Sequence, residues 1–247
     1  MRIDVLTLFP EMIDEPLSRS IIGRARDRKI IDLRIHDIRD WATDKHRVVD
    51  DTPFGGGAGM VMKVEPLYKA IEAIDPEGRA KIILTDASGM RFDQTIAKRL
   101  MAEDWLIIIC GHYKGIDERL KEFFEITEIS IGDYVLTGGE FPALVIVDAV
   151  ARLVPGVIKD IDSAQSDSYF EGLLGYPEYT QPREFMGREV PEVLTGGNHE
   201  QIRRWRLRQA LQKTQARRPD LLQDKELDDE EKMLLGLEDK DAKNDRK

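Results

Sequence analysis

The feature that most constrains this chain is the alternation of short apolar segments with helix-spaced ones across roughly its first 150 residues. Arg2–Phe9 is β-branched and apolar, and Pro10 ends it. Ile31–Ile38 alternates apolar and polar residues as a strand does. Lys81–Thr85, Trp105–Cys110 and Ile126–Ile131 are short runs of the kind that sheets bury. Between these lie helix-like segments: Ser18–Lys29, Val64–Ile74, Asp93–Glu103, Ile116–Phe124 and Glu140–Leu153. In the second of them Leu67, Ala70, Ile71 and Ile74 share one face. This alternation predicts an α/β fold, a mostly parallel sheet with helices on both faces.

The texture changes after Leu153. The segment PGVIKDIDSAQSDSYF (Pro155–Phe170) is polar, small and aperiodic, and reads as a linker. The following stretch, up to Asn198, is rich in Pro, Gly and Tyr, with too many turn residues for regular structure. From His199 the spacing is helical again, with a break at Pro219 and a short helix near Asp228–Leu237. The expected organisation is an N-terminal domain over 1–159, a flexible linker over 160–170, and a small, mainly helical domain with an acidic tail over 171–247.

Composition narrows the class. Hydrophobic residues make up 41% of the 247, enough for a packed core, which excludes global disorder. The single cysteine, Cys110, excludes an intrachain disulfide and a cysteine-based zinc site, and fits a reducing compartment. Arg2, Asp4 and Glu11 interrupt any signal-peptide core, and no apolar run approaches the roughly 18 residues of a membrane span. A soluble, cytoplasmic protein with no membrane partner is expected. The net charge of −10 argues against a nucleic-acid partner until its distribution is read. Residues 223–247 hold ten acids and six bases, whereas 201–218 hold Arg203, Arg204, Arg206, Arg208, Lys213, Arg217 and Arg218 and no acid. With Trp205 interleaved, that run suits contact with RNA phosphates.

No glycine is followed by lysine, so there is no P-loop, and no Gly-x-Gly-x-x-Gly opens a helix after a strand. The four histidines lack metal-ligand spacing, so no metal site is expected. Glycines instead follow three of the predicted strands, in DASG (Asp86–Gly89), GHYKG (Gly111–Gly115) and IGDYVLTGGE (Ile131–Glu140). Loops meeting at the carboxyl edge of one sheet form the ligand crevice of an open α/β fold. Their small basic content fits a neutral or cationic small molecule better than a polyphosphate. A further glycine loop, DDTPFGGGAGM (Asp50–Met60), reads as a lid or wall for a second ligand.

Taken together, SIGDYVLTGGE, CGHYKGIDER, HRVVDDTPFGGGAGM, DSYFEGLLGYPEYTQP and GNHEQIRRWR closely resemble the bacterial tRNA (guanine-N1)-methyltransferase family, TrmD, of the SPOUT superfamily. The resemblance runs from Arg2 to about Leu222. It implies a deep trefoil knot in the N-terminal domain, which neither composition nor periodicity reveals. It also implies S-adenosylmethionine as methyl donor and leaves a requirement for Mg²⁺ open. The substrate would be tRNA, methylated at N1 of the guanine just 3′ of the anticodon (position 37), by a homodimer with its site between subunits.

Carried over residue by residue, the resemblance assigns cofactor binding to Gly111, Tyr113, Ile131, Gly132, Asp133, Tyr134, Val135, Leu136, Gly138 and Gly139. It makes Asp167 the base that takes the N1 proton and Arg152 the cation that stabilises charge moving toward O6. Two positions depart from the family pattern. Lys114 stands where glutamate is usual, and Ala87, Ser88 and Gly89 stand where Pro-Gln-Gly or similar is usual. The competing reading is a catalytically weak or non-catalytic RNA-binding or assembly factor of the same fold.

Overall fold

A computed structural model describes residues 1–158, 167–223 and 225–237. The chain forms two compact units, Met1–Lys159 and Asp160–Lys247. Most of the expected linker lies outside the described residues.

The first unit runs β1 (Arg2–Thr7), α1 (Pro10–Leu17), α2 (Ser20–Asp27), β2 (Asp32–Asp37), a 3₁₀ turn (Ile38–Trp41), β3 (Asp50–Asp51), β4 (Val61–Met62) and α3 (Val64–Ile74). It continues through β5 (Lys81–Arg91), α4 (Gln94–Met101), β6 (Trp105–Cys110), α5 (Leu120–Phe123), β7 (Ile126–Ser130) and α6 (Glu140–Ala151). Five strands form one sheet in the order β2-β1-β6-β5-β7, every pair parallel.

Side-chain alternation splits each strand between two cores. Ile3, Val5, Ile83, Leu106 and Ile108 face a layer built from α1, α2, α4 and α6, with Ile13, Ile22, Leu100 and Ile146 buried there. Leu6, Ile82, Leu84, Ile107 and Ile109 face the other side, against Ile38, α3 (Leu67, Ile71) and Leu120. The central strand β6 is buried along its whole length, as its unbroken apolar run WLIIIC requires.

Elements of this unit differ from the sequence expectation in three places along the sheet and its flanks, and a short antiparallel pair, β3 with β4, closes the expected glycine loop. β1 stops at Thr7, short of the expected Phe9, and Pro10 opens α1, because its fixed φ and missing N–H suit the first helical turn. The helix expected over Ile116–Phe124 is only Leu120–Phe123. Its first residues are held by strand-like bonds instead: Met62 N–H donates to Gly115 O at 3.0 Å and Asp117 N–H donates to Met62 O at 3.0 Å. Strand β5 does not stop at Thr85 but resumes pairing with β7 at Met90 and Arg91 after a register shift. The shift lifts Asp86–Gly89 out of the ladder at the carboxyl edge.

Acidic groups are buried inside this unit, Asp4, Asp75 and Glu140 among them, and Asp4 is the most enclosed. Asp4 on β1 is fully buried and accepts from Arg2 Nε at 2.7 Å and Trp105 Nε1 at 2.7 Å, while His36 Nε2 lies 2.7 Å from its other oxygen. Burial alone would push its carboxyl up, but the bonds from His36, Arg2 and Trp105 outweigh burial and hold it below the ordinary carboxylate value.

The second unit contains a hairpin (Glu184–Phe185 with Arg188–Glu189) and helices Glu192–Thr195, His199–Arg217, Asp220–Gln223 and Asp229–Leu235. The hairpin falls within the stretch expected to lack regular structure. Met186 and Gly187 both take positive φ at its turn, the two-residue geometry that matches strand twist. The long helix is capped by Asn198, which accepts from Gln201 N–H, and buries Ala210, Leu211 and Thr214. Thr214 Oγ1 accepts from Leu174 N–H at 2.9 Å, and Lys213 Nζ donates to Gly175 O at 2.8 Å, so the segment before the hairpin packs along this helix.

Candidate active site

The carboxyl edge of β5, β6 and β7 opens onto a cleft of about 310 Å³. Thr85–Ala87 from β5, Gly111–Gly115 after β6, and Ile129–Gly132 with Tyr134–Gly139 after β7 line it, with Pro142 of α6. Parallel strands place all three loops at one edge, so the cleft follows from sheet direction.

Its floor is a crossing with no room for side chains. A Cβ at Gly111 would sit 2.7 Å from Thr85 O, and one at Gly139 would collide with Thr85 Oγ1 and with Gly111 N. Gly139 N–H donates to Gly111 O at 2.7 Å, and Gly111 N–H donates to Thr85 Oγ1 at 3.3 Å. Glycine at these positions is therefore demanded by contact between the strand ends, beyond any approach of a ligand. A Cβ at Gly138 would press on Glu140 and on the His112 ring, and one at Gly132 on the ring of Tyr134.

Under the floor, Glu140 is buried at the first turn of α6, where the helix dipole favours a carboxylate, and Thr7 Oγ1 donates to it at 2.8 Å. Cys110 is fully buried above it. Desolvation first, and then the Glu140 charge, push its thiol well above the usual range. It is a packing residue and no nucleophile. The cleft wall is wetter and apolar: Tyr134, Val135 and Leu136 are exposed, Val135 by 87%. Tyr113 takes a positive φ of 59°. Burial first, and then Asp50, raise its phenol above the ordinary value. Asp86 contributes a carboxylate, fixed by Ser88 N–H and Ser88 Oγ at 2.7 and 2.6 Å.

Of the residues singled out from sequence, Gly111, Tyr113, Ile131, Gly132, Tyr134, Val135, Leu136, Gly138 and Gly139 meet around this cleft. Asp133 is in the same loop but does not line it. Arg152 is the exposed C-cap of α6, its N–H donating to Asp148 O at 3.1 Å. Asp167 belongs to the second unit, where it opens a turn closed by Phe170 N–H at 3.3 Å and lines a cavity of about 570 Å³ with Tyr176, His199, Arg203 and Arg206. Sequence reasoning did not pick out Thr85, whose hydroxyl knits the floor. The only signal was a polar residue ending an apolar strand. Among the described residues no cluster of His, Cys, Asp and Glu is arranged to hold a metal.

The basic run is less free than its sequence suggests. Acids from neighbouring segments reach it: Arg203 pairs with Glu200 and Glu230 at 2.7 Å each, Arg204 with Glu230 at 3.1 Å, and Arg218 with Asp220 at 2.6 Å. Arg206 lies over the Tyr176 ring at 4.8 Å. Among the described residues Arg206, Arg208, Lys213 and Arg217 form no ion pair, and of these Arg208 and Arg217 are the exposed ones. No helix among the described residues is long and apolar enough to cross a membrane.

Comparison with known proteins matches residues 1–224 to the family model described as tRNA (Guanine-1)-methyltransferase TrmD. Curated relatives named tRNA (guanine-N(1)-)-methyltransferase include one from Moorella thermoacetica, 55% identical over 238 residues, and one from Geobacter sulfurreducens, 53% identical over 238 residues. The alignments cover 95% of both chains in the first case, and 96% of this chain and 97% of the relative in the second. A third, from Limosilactobacillus fermentum, is 51% identical over 240 residues and covers 95% of each. With matches of this length and identity the chain belongs to the TrmD family of tRNA (guanine-1)-methyltransferases.

Proposed function

We propose that this protein methylates N1 of a guanine in tRNA, the one just 3′ of the anticodon, with S-adenosylmethionine as donor. The observation that carries the reading is the glycine-floored cleft at the carboxyl edge of β5, β6 and β7, in a chain that belongs to this family. The cleft fits the donor in kind: backbone edges at Gly111 and Gly138–Gly139, an exposed apolar wall at Tyr134–Leu136 for a purine ring, and one carboxylate, Asp86, suited to a cationic ligand. When bound, S-adenosylmethionine supplies an electrophilic methyl group on a sulfonium.

The chain's own residues then have three tasks. The cleft loops hold the donor in line with the acceptor nitrogen, and positioning supplies much of the acceleration. Guanine N1 carries a proton and is a poor nucleophile, so Asp167 takes that proton. Charge displaced toward O6 is stabilised by the Arg152 guanidinium. The same reading extends to a knotted first unit, a homodimer whose site draws on both subunits, and a cytoplasmic location. No observation favours a non-catalytic reading.

The test is mass analysis of nucleosides from unmodified tRNA after incubation with the protein and S-adenosylmethionine. 1-Methylguanosine should appear in stoichiometric amounts. Its absence, or methylation at another guanine atom, would overturn the reading.

A further inference from the structure

The glycine loop before β4 and Lys114 after β6 have no part in the chemistry above, yet they are built against each other. Lys114 N–H donates to Met60 O at 3.0 Å, which ties the two loops together. Its side chain then runs across Gly59: a Cβ there would lie 2.9 Å from Lys114 Cε, 3.1 Å from Cγ and 3.2 Å from Cδ. The ammonium ends beside Gly57, 4.0 Å from where a Cβ would stand. Gly55, Gly56, Gly57 and Gly59 all take positive φ, between 78° and 112°. Of this loop only Gly56 N–H finds a backbone acceptor, Pro53 O at 3.2 Å. The N–H groups of Gly55, Gly57, Ala58 and Gly59 bond to no described residue.

Charge points the same way. Lys114 is the one lysine or arginine among the described residues lining the cleft, and it forms no ion pair with any of them. The acid that lines the same cleft, Asp86, forms no ion pair with Lys114 and accepts from Ser88 N–H and Ser88 Oγ instead. An unpaired ammonium beside a turn of unbonded N–H groups has the chemistry to hold an anion. A guanine whose N1 is to be reached must leave its stack, and its flanking phosphates come to the cleft rim with it.

We propose that Lys114 and the loop Gly55–Gly59 form a phosphate clamp that holds the tRNA backbone next to the nucleotide being methylated. The clamp rests on the tRNA reading above. Lysine serves as the point charge and the loop amides supply direction.

The experiment compares the wild-type protein with Lys114→Met and Lys114→Arg. It measures unmodified tRNA binding across a salt titration and S-adenosylmethionine binding by calorimetry. Lys114→Met should weaken tRNA binding about tenfold and reduce the salt slope by about one, the share of a single phosphate contact. Lys114→Arg should restore most of both, and cofactor affinity should stay within about a factor of two. An unchanged slope in Lys114→Met would overturn the clamp. So would a loss of cofactor affinity with the tRNA slope intact, since the lysine would then pair with the carboxylate of the cofactor. A wild-type protein that binds tRNA but makes no 1-methylguanosine would remove the activity reading and leave the clamp to its salt slope. One that binds no tRNA would overturn both.

Discussion

Asp167→Asn keeps the shape of the side chain and removes its basicity. Binding of tRNA and S-adenosylmethionine should change little, while single-turnover methyl transfer should fall by about two to four orders of magnitude, the usual worth of a positioned base. The deficit should shrink at high pH, where solvent takes the N1 proton unaided. A variant with a near-normal single-turnover rate would remove Asp167 from that role. Asp4 makes a different prediction, about stability. Its carboxyl is held below the ordinary value in the folded state, so it binds a proton less readily there than in the unfolded chain. Its stabilising contribution is therefore complete above an unfolded value of about 3.9 and is lost as pH falls through the depressed folded value. Asp4→Asn should destabilise at neutral pH by about 3 kcal/mol, because it leaves Arg2 and His36 facing a neutral amide. It should also flatten the fall of stability below about pH 4. Urea titrations of both proteins across that range check this. An equal acid slope in the two would mean that Asp4 is not the group that titrates.

Among the elements, the long helix His199–Arg217 shows how a charge pattern is edited by its surroundings. Seven bases without an acid in 201–218 read as an open phosphate-binding face. Glu230 of the helix Asp229–Leu235 folds back on Arg203 and Arg204 and neutralises that end. Replacing both Arg208 and Arg217 by Gln should lower the salt slope of tRNA binding by about two, near 0.9 for each contact. Replacing Arg203 should lower it less, because its charge is already matched by Glu200 and Glu230. Salt titrations of the variants measure this directly, and a larger effect at Arg203 would mean that RNA displaces Glu230. The strands were more legible than the charges. Runs such as WLIIIC and KIILT state their burial outright, whereas the second part of β5 was read as a loop. DASG is small and mostly polar, and only the pairing of Met90 and Arg91 beyond it with Ile129 and Ser130 returns the chain to the sheet.

For the whole molecule, the homodimer is a prediction of mass: sedimentation equilibrium should give twice 28.3 kDa, and a monomer mass would exclude a site shared between subunits. The sequence by itself determined the class of fold. Apolar runs too short for anything but buried strands, separated by helix-spaced segments, leave a layered parallel sheet as the way to bury both faces. It also determined the loops of the cleft, because glycines stood after the strands and the motifs around them were specific. Tertiary structure alone decided the strand order, which sets β1 and β5 on either side of β6 and brings Thr85, Gly111 and Gly139 into contact. It alone decided that Asp4 is a buried ion with three partners, that Glu230 covers part of the basic helix, and that Lys114 lies along Gly59. The reason is range. Burial and helical spacing are written in neighbouring residues, while contacts between residues scores of positions apart depend on which strands pair and where each chain segment returns.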